Sequence, residues 1–241
     1  MDRADAVVNG TRCDLRRARP GAPYREVHAQ ARDHDVTAGD QPRPHRPALF
    51  ADLTEMIDAA GAASSPGARA EVASSTAAAV IRAGRSPGDG EVFIELADRV
   101  GLDTLAALWR DADPVSLPGA LWALYLLRQW CRSDGDEVTR LWRAGEPLAP
   151  AEAAVAGVAD FADAPAVQHF ADAMLAGVYR GDLDVALERA AAFFRVVAAG
   201  RRALPCGPDH DLDVGELAQR NERVAAALSA AAAHWRAGDL Q

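Results

Sequence analysis

Two stretches of this chain hold residue types that could do chemistry. The first, "CGPDHDLDVGE" from Cys206 to Glu216, gathers Cys206, His210 and the alternating Asp209, Asp211 and Asp213. A divalent ion needs several such ligands converging, and the three Asp copy the opening of a calcium loop. The copy then fails, because Val214 sits where that loop requires Gly and Arg220 where it requires Glu. For zinc, Cys206 and His210 lack a second ligand pair. The stretch therefore reads as an interhelical loop that ends on Asp213 as a helix N-cap, with Glu216 at capping-box spacing. No metal is expected there.

The second stretch is aromatic. Trp109, Trp122, Trp130 and Trp142, four of the five Trp, fall close together around "LPGALWALYLLRQWC". On a helix, Trp122, Tyr125 and Gln129 share one face at i, i+3 and i+7, while Leu117, Leu121, Leu124 and Arg128 share another. Arg stacks on rings and pairs bidentately with carboxylate or phosphate. A pocket lined by Trp122, Tyr125, Arg128 and Gln129, around residues 109–142, is thus the expected site for an anionic or planar ligand. The competing account is that the cluster is core and that Arg128 reaches an acid on a neighbouring helix.

Other reactive side chains are isolated. Cys13, His28 and His34 lie where the composition supplies no fold to bring ligands together. His169, in "ADAPAVQHFADAM", adjoins an apolar stripe and is expected to be partly buried and hydrogen-bonded, although a general base would use the same residue type. The chain has no GxSxG elbow, no phosphate loop with Gly-Lys-Ser, no GxGxxG after a strand and no HExxH. Nor does it carry the paired ExxH helices of a di-iron site. No catalytic residue and no cofactor are implied, and the sequence leans away from an enzyme.

These candidates must be positioned by helices. Apolar spacing from Ala48 onward is helical, beginning with Leu49, Phe50, Leu53, Met56 and Ile57. A Ser/Pro/Gly break at 64–67 ends that helix, and further helices are predicted at about 68–83, 91–100 and 103–111. The loop "GRSPGDG" separates the first two of these. The helix at 117–132, capped by Ser116, is apolar almost all the way round and is expected at the centre of the fold. Others follow at about 136–143, 150–162, 165–179, 183–199 and 213–236, with Asp182 a further expected N-cap. No stretch alternates as a strand does. The fold class is therefore all-α, about ten helices in an orthogonal bundle or a short HEAT-like helical array.

Residues 1–47 differ from this body. They mix Arg, Asp, Pro and Gly with few large apolar residues, which predicts a disordered arm, with 48–241 the all-helical domain. A misassigned upstream start codon would produce a similar stretch. The arm carries nine Arg against seven acids, whereas 48–241 carries 17 Arg against 28, within an overall net charge of -9. So acidic a body repels phosphate backbones and anionic lipid, which argues against nucleic acid and membrane as partners. All 26 basic residues are Arg, the mark of a GC-rich, bacterial coding sequence. Cys13, Cys131 and Cys206 form no CxxC pair and no signal peptide is evident, so the expected location is cytoplasmic.

One phrase recurs: "LWRDADP" at Leu108 and "LWRAGEP" at Leu141, with looser relatives at Val80, Val178 and His234. Arg in a last turn, Gly in a left-handed C-cap and then Asp or Pro is what a helix end asks for. The drifting period favours repeated helix ends over a true solenoid repeat. Helix-packing surface without catalytic constellations points to a non-catalytic adaptor or regulatory protein that binds a protein partner or its own copy. The alternative is a small-molecule-binding helical domain, as a binder or an enzyme, built on the Trp/Tyr/Arg pocket.

Overall fold

A computed structural model of the protein describes residues 65–85, 94, 96–157, 161–204 and 211–241. They form nine α-helices and, among the described residues, no strand. In chain order these are α1 (Pro66–Gly84), α2 (Leu96–Val100), α3 (Leu102–Trp109), α4 (Leu117–Ser133) and α5 (Gly135–Gly145). After a 3-10 turn at Glu146–Leu148 come α6 (Pro150–Ala156), α7 (Ala164–Arg180), α8 (Leu183–Ala203) and α9 (Asp211–Ala237). The arm expected over 1–47, the helix expected over 48–63, most of "GRSPGDG", and Cys13, His28, His34, Cys206, Asp209 and His210 lie outside the described residues.

Local chemistry explains the helix boundaries. Ser65, Ser116 and Asp163 are extended N-caps whose side chains accept from the backbone N–H of Ala68, Gly119 and Ala166, each with Pro in the first turn. Asp182, expected to cap α8, makes no such bond. Helix α6 stops at Ala156, short of the predicted 162, because Gly157 takes a left-handed conformation at φ 75° and turns the chain.

The five related phrases at Val80, Leu108, Leu141, Val178 and His234 all end helices. Their glycines do two different jobs, however. Gly181 (φ 105°) and Gly238 (φ 80°) are left-handed caps. Gly84 and Gly145 remain helical and buried, and serve close packing instead.

Helix α8 runs through the middle of the core, touching α4, α5, α6, α7 and α9. Its run from Ala190 to Phe194 is buried without interruption, small residues letting neighbours approach while Phe193 fills the space between them. Phe193 stacks on Trp142 of α5 (5.5 Å between centroids) and on Phe170 of α7 (5.2 Å), and Phe161 meets Trp142 edge-on at 4.8 Å. Helix α4, expected at the centre of the fold, shares this central place. It packs against α1, α3, α5, α7, α8 and α9, yet part of its surface stays open, with Leu126 41% exposed. Apolarity on every face decides that a helix is well covered, but the lengths and crossing of its neighbours decide which face is left over.

Candidate binding groove

Helix α4 divides its side chains between two environments. On the inner side Leu117, Leu121, Leu124, Tyr125 and Arg128 are buried. Tyr125 Oη lies 2.7 Å from Tyr179 Oη of α7, one hydroxyl donating to the other, and the Tyr125 ring sits 6.1 Å from that of Trp109. Burial pushes both phenols well above the ordinary tyrosine range. The pair is therefore neutral and acts as a polar pin in an apolar seam.

Arg128 reaches two acids. Its Nε donates to Asp172 of α7 at 2.6 Å and its Nη2 to Asp98 of α2 at 2.9 Å, with the side chain only 3% exposed. Burial works against its charge, but the two carboxylates outweigh it and hold the guanidinium more firmly protonated than usual. In return, the hydrogen bond from Arg128 holds the Asp98 carboxyl below its ordinary value. Cys131, one turn away and fully buried, has its thiol pushed up to about 12 by burial, with Asp172 adding to the shift.

The outer side of α4 forms one wall of a groove of about 440 Å³. Trp122, Ala123, Leu126 and Trp130 line this wall, at the i, i+1, i+4 and i+8 spacing of a single helix face. Val224, Ala227 and Leu228 of α9 face them, Phe194 of α8 also contributes, and Arg110, Ala112 and Pro114 close one end. Trp122 and Trp130 are half-buried, and the guanidinium of Arg201 lies 5.4 Å from the Trp130 ring centre, a cation–π contact that also holds the indole in place. Among the described residues Arg110 is the one charged residue of the lining; its side chain is 68% exposed and meets Asp111 at 3.7 Å, a weak surface pair.

Of the four residues expected to line a pocket, the structure places only Trp122 in this groove. Tyr125 and Arg128 lie in the core on the other side of α4, and Gln129 is exposed. Arg128 takes the competing role, that of reaching acids on neighbouring helices. Ala123, Leu126 and Trp130 were missed because α4 is apolar on both faces, so side-chain type did not distinguish the open face from the closed one. The signal was present in the stripe Trp122, Leu126, Trp130, which repeats every four residues.

His169 was expected to be partly buried, but it is exposed, one position beyond the buried edge of α7. Glu216 pairs with Arg220 on its own helix at 2.6 Å. Among the described residues no three His, Cys, Asp or Glu side chains converge as a metal site would require, and no helix is long and apolar enough to cross a membrane.

Compared with protein-family models, with curated proteins and with solved structures, the chain matches none. Its functional reading accordingly rests on its own geometry.

Proposed function

We propose that this is a non-catalytic helical interaction protein, an adaptor or regulator, which holds an apolar helix of a partner or of its own copy in the groove between α4 and α9. The observation that carries the reading is the Trp122–Leu126–Trp130 stripe, a partly solvent-exposed apolar wall with aromatic anchors and, among the described residues, a single charge at its rim. Such a wall suits helix-in-groove recognition, in which residues at i, i+3, i+4 and i+7 of the guest enter between aromatic and aliphatic hosts. We further infer a closed bundle in preference to a HEAT-like array. Contacts of α8 with α4, of α1 with α7 and of α4 with α9 join elements far apart in sequence, whereas stacked repeats touch their neighbours. A reducing, cytoplasmic setting agrees with the buried free thiol of Cys131.

The test is a titration of the full-length protein with a fluorescein-labelled amphipathic Leu/Lys helix, read by anisotropy and by tryptophan emission. Saturable binding with a blue shift is expected, and Leu126→Asp should remove it while lowering the melting temperature far less than a change at a fully buried leucine such as Leu124, because Leu126 keeps 41% of its surface exposed. Binding indifferent to Leu126→Asp, or no binding by a strictly monomeric protein, would overturn the reading.

A second reading has one observation in its favour. The groove volume is that of a small-molecule site, and Arg110 at its end could meet the carboxylate of an otherwise apolar ligand. Quenching of Trp122 and Trp130 by a long-chain carboxylate, lost on Arg110→Ala, would favour it over a helical guest.

A further inference from the structure

We propose that the groove has an occupant of its own, the segment 48–63 of the same chain, whose docking competes with an outside helix. The inference rests on the groove being a helix-binding site, and it names how that site is regulated.

Length and spacing match. The sequence of 48–63 predicts a helix with the stripe Leu49, Phe50, Leu53, Met56 and Ile57, with Glu55 and Asp58 away from that stripe and Asp52 along its edge. From Leu49 to Ile57 a helix rises about 12 Å, the same rise as from Trp122 to Trp130 on α4. The guest stripe is therefore as long as the host stripe.

The point of attachment also matches. The chain enters α1 at Ser65, and Pro66 lines a second, partly polar groove of about 320 Å³ together with Arg69, Leu108, Asp111, Ala112 and Asp113. Ala112 lines the Trp groove as well, so the two depressions adjoin. A segment ending at residue 63 is thus tethered beside a groove that adjoins the Trp groove. With so short a connection its effective concentration at the groove is on the order of millimolar. A segment that fills the groove about nine-tenths of the time weakens an outside helix about ten-fold.

The experiment uses the full chain. With p-benzoylphenylalanine in place of Leu53, irradiation of a mixture of isotopically light and heavy protein is expected to join position 53 to Trp122–Trp130 or Val224–Leu228 within single chains. Phe50→Asp with Leu53→Asp should then tighten the labelled Leu/Lys helix about ten-fold, the gain expected from releasing such an occupant. Adding Leu126→Asp should abolish that gain. Crosslinks to other surfaces, or mixed light–heavy crosslinks in place of single-chain ones, overturn the proposal, the latter naming a second copy as the occupant. Equal, Leu126-dependent affinities with and without the segment changes overturn it while leaving the groove reading intact. Leu126-independent binding in both chains removes the groove reading itself.

Discussion

Gly145 of α5 and Gly200 of α8 face each other with no room for a methyl group between the two backbones. A Cβ on Gly145 would overlap the carbonyl oxygen of Val196, and one on Gly200 would overlap that of Leu141. Both obstacles are backbone atoms of packed helices, so relief requires the helices to separate. Gly145→Ala and Gly200→Ala are each expected to lower stability by about 1–3 kcal/mol, the range for overpacking a tight core. Gly67→Ala, in the first turn of α1 with open space around it, should leave stability unchanged or raise it by about 0.5 kcal/mol. Thermal melts of the three variants make the comparison, and equal melting points would refute the close-approach account.

Acid sensitivity should carry the signature of the Arg128 pairs. The Asp98 carboxyl titrates below its ordinary value in the folded state, so its contribution is fully present above the unfolded pKa of about 3.9. It is lost as pH falls through the lowered folded value. Asp98→Asn should therefore be less stable than wild type at neutral pH, with the difference shrinking in strong acid. Arg128→Met leaves Asp98 and Asp172 more than a third exposed and able to hydrate, so its cost should be about 2 kcal/mol, under the range for a wholly buried orphaned charge. Parallel acid limbs for wild type and Asp98→Asn would count against this assignment.

Cys131 should be inert while the protein is folded. Its thiol is buried and titrates at about 12, so almost no thiolate exists at pH 8. Peptide mapping after iodoacetamide treatment is expected to find Cys131 unmodified in native protein and fully alkylated in denaturant. Modification at the rate of a free thiol in the native state would contradict the burial.

Trp109 and Trp142 are both completely buried, yet their replacement by Phe should differ. Trp109 Nε1 donates to Thr76 Oγ1 at 2.9 Å, and Thr76 is itself buried. Trp142 Nε1 has no hydrogen-bond partner among the described residues, and its ring is held by Phe161 and Phe193. Trp109→Phe loses ring volume and a buried hydrogen bond together, Trp142→Phe mainly volume. The first should be the more destabilising by about 1 kcal/mol, read from urea midpoints at constant slope. The reverse order would show that Trp142 makes a polar contact this geometry lacks.

Much of the fold was legible because helix boundaries are local events. Ser116 before "LPGAL" and the Arg–Gly phrases mark caps whose hydrogen bonds close within one turn, and the structure ends its helices at those phrases. Where a boundary departed from expectation, at Gly157, a single glycine with positive φ had been read through as part of an alanine-rich run. The candidate site was legible only in neighbourhood: the stretch around 109–142 was singled out, and Trp122 lies in the groove, but Tyr125 and Arg128 turn inward. An arginine suggested a ligand, and its partners proved to be Asp98 and Asp172, residues far from it in sequence.

The amino-acid sequence alone thus determined the all-helical class, the cap at Ser116, the helix ends at the Arg-containing phrases and the apolar richness of the segment 117–133, since each depends on neighbours within a turn or two. Which face of that segment would be sealed and which left as a groove was decided only in the tertiary structure. Both faces carry large apolar side chains of nearly equal transfer free energy. The choice was made by where α7 and α9 come to lie, which follows from contacts between residues distant in the chain.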